Sequence, residues 1–280
     1  MRNRWAGAYL LGPGVFLLTL LLVLPLVNTV VISFQQFLPG WVGTSTDAPF
    51  TVQNYVQLLN PAYWSYIWQT LWISFVAAMI ALVVGFPVAY IIARSPSGWL
   101  RKVLLTLLVI ILFLGTVVRV YAIALTFGPV GFLMPIARFF DLNPNGDIMI
   151  KLVTIVGLLH YGIPMSGLIL VGTIRHINPD LAEAAEALGA CRWKAHLTVT
   201  VPLAKRGLVE AFLVTYALSI SAFIIPMILG EGRLLFVANL IFSRFSLVAN
   251  YPGGAALSIG MTGIALAVMY LVVRLSSTGE

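Results

Sequence analysis

The residues that need a chemical explanation are the few polar side chains set in long apolar runs. Arg119, with Tyr121 two positions on, lies in the run 103–127. His160 and Tyr161 precede Pro164 in the run 152–174. Tyr216, Ser219 and Ser221 lie in the run 208–229. A guanidinium, an imidazole and hydroxyls in such surroundings either hydrogen-bond between helices or line a polar path. They do not compose a catalytic set, because His160 has no evident nucleophile or carboxylate partner, and an intramembrane enzyme is the weakest reading. No Cys/His cluster has metal-ligand spacing, so no metal site is expected. The lone Cys191 excludes an intrachain disulfide. Nothing fits the Gly-x4-Gly-Lys-Ser/Thr loop that cradles nucleotide phosphates.

A second group is concentrated in residues 175–202. Asn178 suits an N-cap and Pro179 the first helical position. Asp180 and Glu183 place negative charge at the positive end of the helix dipole. Ala182, Ala184, Ala185, Ala187 and Leu188 favour helix, and Gly189 supplies a left-handed stop. The spacing predicts a short helix of about ten residues. A second, basic helix is expected from near Cys191 to just before Pro202. Two readings stay open on this chemistry: a connector packed on the bundle, or a docking helix offered to another protein.

The elements that carry these residues follow from composition. Of 280 residues 60% are hydrophobic and 9% charged, and the mean hydropathy is +1.01. Soluble chains carry about 25% charge, so a water-facing surface cannot be covered. A membrane barrel would need polar residues at every second lumen position, and the chain lacks them. A helix crosses about 30 Å of hydrocarbon with about 20 residues. Six runs meet that length: residues 10–34, 68–93, 103–127, 152–174, 208–229 and 255–273. They form one all-α membrane-spanning domain over 1–280, with a loop at 175–203. The first run follows Arg2 and Arg4 but is too long for a signal-peptide core. It is read as an uncleaved helix, kinked or locally broken near Pro25.

The net charge is +7 and the pI about 9.8. Eleven of the sixteen Lys and Arg residues fall on one side of the six runs if both termini are cytoplasmic, four on the other, and Arg119 within a run. Basic residues in cytoplasmic loops explain the charge without nucleic acid. The outer segment 35–67 has no Lys or Arg and many aromatics, which suits an interfacial belt against membrane lipid. Residues 132–140 and 234–248 are expected as short interfacial helices.

The 175–202 segment resembles the EAA loop of ABC importer permeases. The family pattern is Glu-Ala-Ala-x3-Gly-x9-Ile-x-Leu-Pro. Here it reads Glu183, Ala184, Ala185, Gly189, then Val199-x-Val201 and Pro202, with every spacing kept and Val replacing Ile and Leu. Phe50-Thr-Val-Gln-Asn-Tyr55, Phe86-Pro-Val-Ala-Tyr90, Ala93-Arg94 and Tyr251-Pro-Gly-Gly-Ala-Ala256 are similar to segments of the spermidine/putrescine permease group, its first permease subunit in particular. The resemblance implies a second homologous permease beside this chain, two cytoplasmic ATPase subunits below and a periplasmic solute-binding protein above. ATP and Mg would reside on the ATPase, and this chain would bind no cofactor. Glu183 would touch the ATPase, Ala184 and Ala185 would allow close packing, and Gly189 would set the turn.

Arg119, Tyr121, His160, Tyr161, Tyr216, Ser219 and Ser221 are candidates for the path, each with interhelical hydrogen bonding as the alternative. Many relatives carry an acidic residue just before the Phe of the fifth span, whereas Ser221-Ala222-Phe223 has none. The cargo class implied is a polyamine, with opine-like, amino-acid-like or phosphonate-like solutes open. A secondary transporter or channel is the competing reading. It would predict inverted repeats and intramembrane carboxylates, and the runs contain no central Asp or Glu.

Overall fold

The computed structural model describes residues 4–40, 48–128, 131–132, 135, 139, 143 and 146–277. Among them the structure is helical, with one isolated bridge between Gln35 and Phe50. The chain divides into two compact units, residues 1–65 with 240–264 and residues 66–239 with 265–280.

In the first unit α1 (Arg4–Ser33) runs through Pro13 and Pro25 as one helix, so the local break that the sequence allowed near Pro25 does not occur. Residues 11–28 of this helix are all exposed. Its C-terminal end is pinned to α2 (Gln53–Leu58): Asn54 Nδ2 donates to the carbonyls of Ser33 (2.9 Å) and Gln35 (2.8 Å), and the hydroxyls of Ser33 and Tyr55 share a hydrogen bond of 2.7 Å. One amide thus satisfies two carbonyls left over where the helix stops.

The second unit is built on α3 (Pro61–Arg94), α4 (Gly98–Phe113), α5 (Thr116–Phe127) and α6 (Asp147–His176). After these come the loop helix α7 (Asp180–Ala187), α8 (Arg192–Ala195), a π-helical turn (His196–Thr200) and α9 (Val201–Leu203). Then follow α10 (Lys205–Ile220), α11 (Ile224–Leu229) and the start of α12 (Val237–Phe242); the chain passes into the first unit at residue 240 with a π-helical turn (Ser243–Leu247) and α13 (Tyr251–Ser277), whose residues from 265 on count with the second unit. Buried residues of α3 recur at helical spacing and are mostly small: Thr70, Ser74, Ala77, Ala78, Ala81, Gly85, Ala89. Small faces let helix backbones approach where lipid supplies no hydrophobic driving force. The approach is closest at Gly207 of α10, where a Cβ would lie 2.0 Å from Thr173 Oγ1 of α6. Two apolar clusters hold the unit. One joins Ile73, Val120, Leu158, Ile225 and Phe236; the other joins Ala89, Ile92, Leu108, Leu170, Ile174 and Ala211.

Among the described residues four helices are long and apolar enough to cross a membrane: the Leu11–Ser33 part of α1, α3, α6 and α13. The pair α4 and α5 makes a fifth if counted as one bent span. The expected straight span at 103–127 is thus corrected to two helices bent by 100°, with extended backbone at Leu114 and Gly115 between them. The expected fifth span, 208–229, is interrupted after Ile220 and resumes at Ile224. At that break Asn239 Nδ2 donates to the Phe223 carbonyl (3.0 Å). The short helix expected at 234–248 is present as α12 and its π-helical turn. The one expected at 132–140 falls mostly outside the described residues.

Candidate functional site

The 175–202 segment is built as an exposed helix with both ends fixed. At its root, Arg94 at the end of α3 donates through Nη2 to the carbonyls of Ile174 (2.9 Å) and Ile177. These carbonyls lie where α6 stops, and Ile174 O also accepts from the Ile177 amide (3.3 Å). Asn178 Oδ1 accepts from the Asp180 amide (3.1 Å), the capping role its position predicts. At the far end Gly189 has φ +93. The Ala190 amide donates to Ala185 O (3.1 Å) and the Gly189 amide to Glu186 O (2.9 Å). This pair of bonds is the Schellman arrangement, and a side chain at Gly189 would be strained by about 1–2 kcal/mol.

Between those ends nothing in α7 is buried. Glu183 and Ala184 are exposed and Ala185 half-buried. Leu181, Leu188 and Trp193 are 46%, 90% and 78% exposed. Leu181 on α7, Leu188 just after it and Trp193 on α8 are thus left largely uncovered by the rest of the chain. Pro202 is also exposed, at the start of α9. The ring of His196 meets Tyr90 of α3 edge-on at 4.6 Å and its Nδ1 lies 3.3 Å from Thr200 Oγ1, which ties the second half of the loop to the bundle.

The interior candidates separate into three situations. Arg119 is 4% exposed, and its Nη2 donates to the carbonyls of Ile111 (3.0 Å), Leu112 (3.5 Å) and Leu114 (2.6 Å). These carbonyls belong to the end of α4, so Arg119 supplies the donors that the 100° bend removes. Its Nε is buried without a partner among the described residues. Tyr161 and Ser219 are brought together, with Tyr161 Oη donating to Ser219 Oγ at 3.3 Å. Tyr216 is buried, stacked on Phe212 at 5.5 Å and edge-on to Phe75 at 6.4 Å. His160 Nδ1 is buried and unpaired among the described residues. Tyr121 is 55% exposed and borders a cavity of about 280 Å³ with Met149, Val153, Ile228 and Glu231. Ser221 is exposed and bonds back to Ala217 O and Leu218 O. The role of Arg94 is not legible in the sequence: a basic residue ending a helix is a common signal, but its partners lie eighty residues away.

Residues 85–278 match the family described as binding-protein-dependent transport system inner membrane component. The chain is 29% identical over 228 residues to the spermidine/putrescine transport system permease protein PotB of Haemophilus influenzae, covering 81% of this chain and 79% of that one. It is 27% identical over 225 residues to PotB of Escherichia coli (strain K12), covering 80% and 81%. Among solved structures, the fold resembles a bacterial ABC transporter involved in the import of the acidic polysaccharide alginate, with TM-score 0.73 and 17% identity over 99% of this chain and 96% of that one. It also resembles the MetNI methionine ABC transporter in an inward-facing conformation, with TM-score 0.59 and 17% identity over 78% and 98%. These apolar helices belong to a multi-pass inner-membrane protein, and the chain is a member of the binding-protein-dependent transport system inner membrane components, a permease subunit of an ABC importer rather than an enzyme.

Proposed function

We propose that this permease pairs with a second homologous permease to form the path for a polyamine such as spermidine or putrescine. Two separate ATPase subunits drive it through the 175–203 loop, and a periplasmic binding protein supplies the cargo. The observation that carries the coupling role is that no residue of α7 is buried between an entry held by Arg94 and an exit set by Gly189. Glu183 meets the ATPase, Ala184 and Ala185 admit it closely, and Gly189 and Pro202 hold the loop's shape. The cargo reading is supported by the relatives that share about four fifths of the chain and are named for spermidine and putrescine. It does not rest on an interior carboxylate.

Six crossings with both termini cytoplasmic complete the reading. The bent pair α4 and α5 and the interrupted pair α10 and α11 serve as the third and fifth. The distribution of eleven basic residues against four supports this orientation. Arg119, Tyr121, His160, Tyr161, Tyr216, Ser219 and Ser221 remain the candidates that border the path, by contact or by holding the helices that line it.

The test is uptake of radiolabelled spermidine by cells that lack their own uptake system and express this chain with its ATPase, second permease and binding protein. Glu183→Ala and Gly189→Leu are expected to abolish uptake while ATP hydrolysis continues. Normal uptake by both variants would contradict the coupling role. Uptake of a different solute, lost in the same variants, would overturn the polyamine cargo and leave the coupling role standing.

A further inference from the structure

The cavity beside Tyr121, about 280 Å³, lies where three helices of the second unit end or begin. Tyr121, Leu125 and Phe127 border it from α5, Met149 and Val153 from the start of α6, and Glu231 from the turn after α11. This is the end of α6 away from the 175–203 loop, since Ile150 and His176 are about 39 Å apart along the helix at 1.5 Å per residue. On the orientation proposed above it is the outer face. The cavity is open: Tyr121 and Leu125 are 55% and 69% exposed, and Glu231 is exposed.

Among the described residues that border the cavity, Glu231 is the one that carries a charge; Lys151 and Arg233, close to its walls in sequence, do not border it. Glu231 also sits in left-handed backbone, φ +50, which side chains seldom adopt and glycine adopts freely. The turn holds it there: the Gly230 amide donates to Pro226 O (3.0 Å), and Gly230 O accepts from the amides of Arg233 (2.9 Å) and Leu234 (3.1 Å). A glutamate held where glycine is the ordinary choice is an outlier of the kind that accompanies functional sites.

A carboxylate and two aromatic rings in an otherwise hydrocarbon lining suit an ammonium on a methylene chain. The charge meets Glu231 and the Tyr121 ring, and the methylenes meet Leu125, Met149 and Val153. An anion would find no cation on these walls, and neither would the phosphate of a zwitterionic lipid head. An uncharged apolar occupant would desolvate the carboxylate without giving it a partner.

We propose that this cavity receives one terminal ammonium of an alkyl diamine or polyamine before the cargo enters the path, with Glu231 as its counter-ion. The proposal rests on the polyamine reading above and adds the residues that select the cation. The turn after α11 thereby supplies a carboxylate that the interiors of the apolar runs lack.

The test uses the assembled importer in lipid nanodiscs, without its binding protein, so that added amine stays free. Leu125→Cys in a Cys191→Ser background puts a reporter on the cavity wall, and its rate of reaction with a water-soluble maleimide is measured. Putrescine and spermidine are expected to slow the reaction. Butanediol and phosphoethanolamine at equal concentration are expected to leave it unchanged. Glu231→Gln raises the amine concentration for half-protection about fivefold, the upper range for an exposed ion pair. Tyr121→Leu raises it about threefold, and Tyr121→Phe does not. Glu231→Gly separates strain from function: it melts no lower than the wild type and still loses protection. Labelling indifferent to diamines, equal protection by butanediol or phosphoethanolamine, full protection in Glu231→Gln, or a cysteine that the maleimide never reaches would each overturn the proposal. So would slowing by the binding protein in place of any amine, because the cavity would then seat a protein. Spermidine uptake in cells reads the cargo separately. Uptake without protection of the reporter overturns this site and leaves the polyamine reading. Glu231-dependent protection in an importer of another solute upholds the ammonium site and overturns that reading.

Discussion

Arg119 and Arg94 perform the same act in two different places. Each turns one guanidinium nitrogen toward carbonyls at a helix C-terminus. Arg119 does so within one hairpin, capping α4 from α5 a few residues later, in apolar surroundings. Arg94 does so across eighty residues, capping α6 from the end of α3 at the root of an exposed loop. In the first case the arginine makes a bend affordable where water is absent. In the second it binds the ends of two helices to one junction, as the proposed coupling through α7 requires. On that proposal the difference separates a device for folding from a device for transmission.

The sharpest way to break the comparison is Arg119→Leu. It leaves the carbonyls of Ile111 and Leu114 without their donor inside the membrane, where each such group costs several kcal/mol. We expect the yield of folded chain, read by size-exclusion chromatography, to fall close to zero, with Arg119→Lys recovering part of it. Arg94→Leu should lower the yield much less, because Ile174 O keeps the Ile177 amide as a partner and Ile177 is only half-buried. The charge-assisted bonds of Arg94 are worth about 1.5–3 kcal/mol, so uptake is expected to fall by about tenfold or more while ATP hydrolysis persists. If Arg119→Leu folds normally, or Arg94→Leu transports normally, the division of roles fails.

Gly207 sharpens the second half of the comparison, since Thr173 immediately precedes Ile174, whose carbonyl Arg94 holds. Gly207→Ala places a Cβ on Thr173 and should destabilise the chain by about 1–3 kcal/mol. Thermal melts in detergent would show it, and Thr173→Gly in the same chain should restore most of the loss. Tyr161→Phe removes one long interhelical bond and should cost about 0.6 kcal/mol, the average for such bonds in membranes. A larger loss of uptake than of stability in Tyr161→Phe would mark the hydroxyl as part of the path.

The loop was the most legible part of the molecule. Asn178, the alanines and Gly189 act through neighbours within a few residues, and the observed helix Asp180–Ala187 with its left-handed stop follows their local chemistry. The apolar runs were equally legible as membrane helices, because hydropathy needs no knowledge of the fold. The bend at Leu114 and Gly115 was not. A straight span and a hairpin share the same apolar content, and only the meeting of Arg119 with carbonyls of α4 distinguishes them. Arg119 drew notice as a charge in an apolar run, which located it without revealing what it holds. The pairings of Arg94 with Ile174, of Tyr161 with Ser219 and of Gly207 with Thr173 depend on which helices pack together, and that information lies in no single stretch of sequence.

The central claim is that α7 is the part of this permease a cytoplasmic ATPase grips. Its most direct measurement is site-specific cross-linking in native membranes. A cysteine replaces Ala184 in a Cys191→Ser background, with the companion subunits present. The account predicts a cross-linked product between this chain and the ATPase subunit, diminished by Gly189→Leu. A cysteine at 184 that reacts freely with a soluble maleimide yet never joins an ATPase, with other positions across 180–187 behaving the same way, would contradict it.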